Sequence, residues 1–297
     1  MRQLIRDRVG IAWRPELAAG ILSHVDEIDV VEVLLEEYIG ASRKALQALR
    51  FLSAHVPVVY HGVTLGPAST HPVDPRRLER VARTLEALEV ESWSEHLAFV
   101  RAAGIEIGHL AAPPRTIATI DGTLSNLHRL RGMTGLMPAL ENIATLVEPP
   151  GSTLSEPEWV SGIASEAHAD LLIDLHNLLC NAHTTALDPE RYLLGFPLER
   201  VTHVHLSGGH WIPEPLRHAK GPGAMRLLDD HLHPVPPKVF SLLSRLASGT
   251  QRPLTVIIER DGNYPAFASL LCELRAARAA LARGRSSRKE AALNECA

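Results

Sequence analysis

Short apolar runs alternate with longer amphipathic stretches along the chain. Eight runs read as strands: VGIAW (9–13), DVVEVLLE (29–36), VPVVYHGV (56–63), VESWSEHLAF (90–99), GLMPALENI (135–143), ADLLIDLHN (169–177), RVTHVHLS (200–207) and PLTVIIERD (253–261). Between them, SRKALQALRFLSAHV and PRRLERVARTLEALEV have helical spacing. In the second, Leu78, Val81, Leu85 and Leu88 recur every three or four residues among Arg and Glu, and Asp74 followed by Pro75 suits a helix start. Strand–helix alternation implies parallel strands joined by crossovers. Eight strands in this length predict an α/β fold of the (β/α)8 TIM-barrel type over residues 1–275, with a C-terminal helix end and basic tail over 276–297. An open doubly wound sheet is the alternative, but no GxGxxG follows the first strand. Ala182–Leu198 and Gly208–Pro237 read as long loops, and loops of that length in a compact domain are usually functional. Arg275, Arg278, Arg283, Arg285, Arg288 and Lys289 read as a solvated helix face and tail.

Composition narrows the picture. With 297 residues, 45% of them hydrophobic, the chain can bury a large core, and global disorder is excluded. A net charge of −4 and 4% aromatics give no footing for nucleic acid, so no nucleic-acid partner is expected. No apolar run is long enough for a signal peptide or a membrane span, so a cytoplasmic protein without a membrane partner is expected. Cys180, Cys272 and Cys296 are too scattered for a disulfide framework or a thiolate zinc site. Cys180 sits in an apolar LLCN context that reads as packing rather than a nucleophile. The unusual number is 16 histidines, because histidine is the commonest metal ligand.

Position gives those histidines meaning. Strand after strand opens apolar and closes on a metal-type ligand: Glu36, His61, His96, Glu141 with Asn142, Asp174 with His176 and Asn177, His205, and Glu259 with Asp261. The C-terminal mouth of a (β/α)8 barrel is where active sites sit, so these side chains should converge there. Period-two alternation puts Leu172, Asp174 and His176 on one face, and likewise His203 with His205, and Ile257 with Glu259 and Asp261. Any one of these residues could instead cap the following helix. As a ring, several carboxylates would repel one another unless cations occupied the centre. Histidine with carboxylate and no cysteine suits iron, manganese or zinc. The segment MRLLDDHLHPV adds Asp229 and His231, spaced to lie on one side of an extended chain. Asn142, His203 and Asp261 are candidates to orient the ligands.

The ordered set GIAWRPE, VEVLLEEY, HGVTL, SEHLAF, LEN, LLIDLHN, ERVTHVHLSGG, LLDDHLHPV and IERDGNYP resembles the multinuclear non-haem iron-dependent oxidative enzymes, once a domain of unknown function in the xylose isomerase-like barrel group. The resemblance runs from about residue 9 to about residue 275. It implies two or three iron ions in mixed valence, with dioxygen as cosubstrate. One iron would be held by His61, His96 and Glu141. Glu141 would bridge to a second held by Asp174, His205 and Glu259, and a third would use Asn177, Asp229 and His231. Asp261 would accept a proton beside the centre, and His176, where the family frequently has Asn, could add a ligand or a proton relay. Enzymes of this kind oxidatively modify a ribosomally made precursor peptide, often at a cysteine, and many work with a small partner protein that presents the peptide. Two other readings stand beside it: a zinc- or manganese-dependent hydrolase or isomerase on the same barrel (a phosphodiesterase or sugar epimerase), and a peptide-binding subunit with structural metals.

Overall fold

The computed structural model describes residues 6–90, 92–214 and 224–295. Among these, twelve strands occur in chain order: β1 (Arg8–Ala12), β2 (Val31–Leu34), β3 (Val58–Gly62), β4 (Trp93–His96), β5 (Phe99–Ala102), β6 (Ile105–Ala111), β7 (Ala139–Glu141), β8 (Leu171–Asp174), β9 (Val201–Leu206), β10 (Gly209–Pro213), β11 (Met225–Asp229) and β12 (Thr255–Ile258). Eight of them close into a barrel in the order β1-β12-β9-β8-β7-β4-β3-β2. Their pairings are parallel, as crossover helices require. The chain therefore adopts the (β/α)8 TIM-barrel fold.

Local chemistry sets the helix boundaries. Ser42 accepts from the Ala45 N–H to open Arg43–His55, and Asp74 caps Pro75–Ala87. Reciprocal capping boxes at Thr116/Thr119 and Ser155/Glu158 open Ile117–Thr134 and Glu156–Ala167. Leu78, Val81 and Leu85 face inward as their spacing requires, and Leu88 packs at the helix end, partly buried. Burial of each such leucine or isoleucine contributes roughly 1.5–3 kcal/mol relative to exposure.

The strands are shorter than the apolar runs that announce them. The 169–177 run stops at Asp174, and a helix, Leu175–Thr184, starts at once. His176 therefore shares no strand face with Leu172 and Asp174; it lies with Asn177 in the first helical turn. Asp174 both ends the strand and caps that helix, its Oδ1 accepting from Asn177 N–H at 2.6 Å. The 253–261 run likewise ends at Ile258, leaving Glu259 and Asp261 just beyond β12. The 90–99 run contains the undescribed Glu91 and breaks after His96, where β5 and β6 form an unexpected antiparallel hairpin.

The two expected loops are not loops throughout. Ala182–Leu198 contains the end of the Leu175–Thr184 helix and a short helix, Pro189–Leu193. The apolar Leu193 and Phe196 are buried, and that burial drives the helical packing. Gly208–Pro237 contains the antiparallel hairpin β10–β11, while its residues 215–223, like Cys296, lie outside the described residues. Gly209 permits the hairpin's approach: a Cβ there would fall 1.8 Å from Leu228 O and 2.6 Å from His176 Cε1.

A helix spanning Phe267–Glu295 packs on the helix Pro237–Gly249 and against β1 and β12. Arg275, Arg283 and Lys289 are exposed, as a solvated face requires, but two other arginines are anchored on the protein. Arg278 donates to Glu27 O at 2.6 Å and to Asp29 Oδ2 at 3.1 Å, and Arg285 reaches Asp7 Oδ1 at 2.7 Å and Ala247 O at 2.9 Å.

Candidate metal centre

The C-terminal ends of β3, β4, β7, β8, β9 and β12 bring one acidic and imidazole cluster together. Glu141 lies at its middle. Its Oε2 is 3.2 Å from His61 Nε2 and 3.4 Å from His96 Nε2. Its Oε1 is 3.2 Å from His205 Nδ1, which is also 3.0 Å from Glu259 Oε2. Three groups of donor atoms result, each close enough to surround one ion: Glu32/His61/His205, and two that share the Glu141 carboxylate, His61/His96/Glu141 and Glu141/Asp174/His205/Glu259. The two that share Glu141 hold the residues that the family resemblance names together.

Two of the three remaining imidazole nitrogens are engaged, and the third, His96 Nδ1, is buried without a hydrogen-bond partner. His61 Nδ1 is 2.8 Å from Ser94 Oγ, and His205 Nε2 is 3.0 Å from Glu32 Oε2. Each contact fixes a ring so that its other nitrogen faces Glu141, the arrangement that supports metal-ligating histidines. Glu32 was missed by the sequence reading, which looked to Glu36 at the strand end. Glu36 instead accepts from the N–H groups of Val63 and Thr64 at 2.8 Å and from the Thr64 hydroxyl, so it shapes the loop after β3. The available signal was an acidic residue inside an apolar strand, VEVL, where only the barrel interior can receive it.

A third group sits beside the first two. Asp229 Oδ2 is 2.9 Å from His231 Nε2, and Asp229 Oδ1 is 2.8 Å from His176 Nδ1. His231 Nδ1 is 3.3 Å from Asp261 Oδ2, and Arg14 Nε donates to Asp261 Oδ1 at 2.9 Å. Asn177 donates from Nδ2 to Asn142 O at 3.1 Å, while its Oδ1 is buried with no partner. Asn142 does hold the β8 end, exchanging hydrogen bonds with the Asp174 backbone at 2.9 and 3.1 Å. His203 does not orient a ligand. It lies one barrel layer below His205, with Nδ1 3.0 Å from the Thr202 hydroxyl.

The electrostatics call for cations. Glu32, Glu141, Asp174 and His205 are essentially sealed from water, and Glu259 is nearly so. Burial, reinforced by Asp229, pushes the Asp174 carboxyl well above its ordinary range. Burial likewise holds His61 down at about 3. At Glu141 burial acts upward, but His96, His205 and His61 outweigh it and bring the carboxyl to about 2. Glu141 Oε2, His205 Nδ1, His231 Nδ1 and Asn177 Oδ1 are buried and make no hydrogen bond, although the first three lie within 3.7 Å of an opposite partner. Nitrogen and oxygen donors crowded on one another without a hydrogen bond fit a site completed by divalent ions. The donors are all nitrogen and oxygen, which suits iron.

A cavity of about 480 Å³ opens over the cluster, lined among others by Arg14, His96, His109, Asn177, Asp229 and Asp261. Cys180 also lines it, but the thiol is buried and burial pushes its pKa up, which keeps it a neutral packing group. Among the described residues no helix is long and apolar enough to cross a membrane.

The fold is similar to solved barrels of low identity. An L-ribulose 3-epimerase matches at TM-score 0.56 and 12% identity, covering 98% of both chains. A xylose isomerase-like TIM barrel protein from Mycobacterium smegmatis, in complex with magnesium, matches at TM-score 0.56 and 11% identity over 95% of this chain and 100% of that one. In sequence the chain is 35% identical to a UPF0276 protein of Streptomyces avermitilis over 279 residues, 92% of this chain and 54% of that protein, so it spans about half of that relative's length. It is 32% identical to a UPF0276 protein of Caulobacter vibrioides over 261 residues, 88% of this chain and 90% of the relative. The model of the family described as "RiPP precursor modification enzyme MbnB/TglH/ChrH" matches residues 8–282. With nearly the whole barrel matched and the shared-carboxylate cluster at its mouth, the chain belongs to the MbnB/TglH/ChrH family of RiPP precursor modification enzymes.

Proposed function

We propose that this protein is an iron- and dioxygen-dependent oxidase that modifies a ribosomally made precursor peptide, with a cysteine of that peptide as the reacting residue. The observation that carries the reading is the Glu141 carboxylate, which turns one oxygen to His61 and His96 and the other to His205. One iron is assigned to His61, His96 and Glu141. A second is assigned to Glu141, Asp174, His205 and Glu259, and a third to Asn177, Asp229 and His231. When bound, the irons supply redox equivalents and open coordination positions for substrate and dioxygen.

The chain's own residues do the rest. Glu32 and Ser94 orient His205 and His61. Asp261, held by Arg14 and facing His231 Nδ1, is the group assigned to accept a proton at the mouth. His176, hydrogen-bonded to Asp229, keeps that carboxylate turned toward His231 and can pass a proton along the same line. The cavity, at about 480 Å³, has room for a peptide side chain. A small partner protein that presents the peptide, and a cytoplasmic setting in which the peptide thiol stays reduced, complete the proposal.

The test is reconstitution of the full chain with iron under anaerobic conditions, followed by metal analysis, Mössbauer spectroscopy and mass spectrometry of a co-expressed precursor after exposure to dioxygen. At least two irons per chain and an oxygen-dependent mass change in the peptide are expected. Fewer than two irons, or a mass change that survives Glu141→Ala, would overturn the assignment.

A further inference from the structure

A second cluster lies outside the cavity. β11 ends at Asp229, and the chain continues extended enough for Asp229 and Asp230 to turn to opposite sides. Asp229 faces His176 and His231 at the centre, and Asp230 faces His210 and His233. His210 comes from β10, and His233 from the turn after β11. Asp230 Oδ2 is 2.6 Å from His210 Nδ1, and Oδ1 is 3.0 Å from His233 Nδ1. The two rings lie 5.1 Å apart at 37°. Both imidazoles thus present the same ring edge to one carboxylate, and all three donor atoms lie within 4.8 Å of one another. None of the three residues lines the central cavity.

Two features separate this cluster from an ordinary surface ion pair. Asp230 Oδ1 also accepts from Leu232 N–H at 2.9 Å, which accounts for the carboxylate in the turn, but an exposed histidine–carboxylate contact stabilises a fold by about 1 kcal/mol or less, so the turn does not call for two imidazoles on it. The three donor atoms are also gathered closely enough for an ion. The nitrogen–oxygen distances of 2.6 and 3.0 Å are hydrogen-bond lengths, so zinc bonds of about 2.0–2.1 Å, which leave neighbouring ligand atoms on the order of 3.3 Å apart, ask the two rings to draw back by a few tenths of an ångström. The His210 and His233 side chains are 43% and 40% exposed, so an ion could enter from solvent and keep a position for water.

We propose that His210, Asp230 and His233 form a separate, solvent-facing site for a borderline divalent ion of the zinc class. Two imidazoles and one carboxylate favour zinc over ferrous iron by the usual order of affinities. The ion would tie β10 to the turn that carries Asp229 and His231, and so brace one side of the central cluster from outside. The proposal does not depend on the oxidative activity or on the peptide.

The full chain, loaded anaerobically with iron and freed of excess, would be titrated with zinc sulfate and analysed for both metals. Wild type should take up one zinc per chain with its iron unchanged. His210→Gln and His233→Gln should take up none and keep their iron, while a control at the exposed His71, His71→Gln, should behave as wild type. Circular dichroism melts confirm that each variant is folded, and Asp230→Asn serves as a further variant if either fails. Equal zinc uptake by wild type and variants, or variants that lose iron rather than zinc, would overturn the site.

Discussion

His205 and Glu32 are joined by a 3.0 Å contact between Nε2 and Oε2 in the sealed centre of the barrel, and this contact decides which nitrogen of His205 faces Glu141 and Glu259. Burial pushes the Glu32 carboxyl up, while His205 opposes that shift. Glu32→Gln keeps the shape and removes the charge. It should weaken the second metal site roughly 10–100-fold, the usual cost of losing such a partner. Iron titration against a chelator, with the melting curve of the metal-free protein as control, checks this.

Ser94 plays the corresponding part for His61 through a neutral hydroxyl at 2.8 Å. A neutral partner is the weaker one. Ser94→Ala should therefore lower iron affinity at the His61/His96/Glu141 group by less than Glu32→Gln lowers it at the second, on the order of tenfold. The same chelator competition ranks the two variants, and a larger loss from Ser94→Ala would contradict the asymmetry.

Arg14 grips Asp261 from the end of β1, across the mouth from His231. It touches none of the nine proposed ligands by hydrogen bond among the contacts described. Arg14→Gln should leave iron content unchanged and reduce turnover of the peptide about 100-fold, the lower end of what one positioned acid–base group contributes. Iron per chain and product formation measured on the same preparation separate this outcome from simple metal loss.

Asn181 supports the wall of the cavity from behind. Its Oδ1 accepts from Thr145 N–H at 2.8 Å, and its Nδ2 donates to Ile143 O and to Glu156 Oε2, each at 2.9 Å. The loop it holds includes Ile143 and Thr145, which line the cavity. Asn181→Ala leaves several buried polar groups without partners and should cost about 1–3 kcal/mol in stability. A lower denaturation midpoint with an unchanged m-value checks it.

Metal and fold are linked as well. Ions that bind only the folded barrel stabilise it by about 4 kcal/mol at a thousandfold excess over Kd. Removing iron with a chelator should lower the melting temperature of wild type markedly and that of Glu141→Ala much less. Equal shifts in the two proteins would mean that the ions do not gather at Glu141.

The order of apolar runs and amphipathic stretches was enough to announce the barrel, because parallel strands buried on both faces need such runs and crossovers need such helices. His61, His96, Glu141, Asp174, His205 and Glu259 were legible for the same reason: each stands where an apolar run ends, and in this architecture those ends converge. Position along a run says less about which side a residue faces once the strand has stopped. His176 and Asn177 are placed by a helix that starts one residue after Asp174, and period-two reasoning fails there. Glu32 escaped notice because it lies in the middle of its run, where only closure of the barrel turns it toward His205.

Sequence by itself determined the eight-strand plan, the helix caps and the roster of nitrogen and oxygen donors, since these depend on periodicity and on residues near one another in the chain. Tertiary structure decided which nitrogen of each histidine meets a carboxylate, that Glu36 serves a loop while Glu32 serves the centre, and that Asp229 and Asp230 face different clusters. Those outcomes depend on contacts between segments as much as 173 residues apart, as in the Glu32–His205 pair, and separation in sequence carries no record of direction in space.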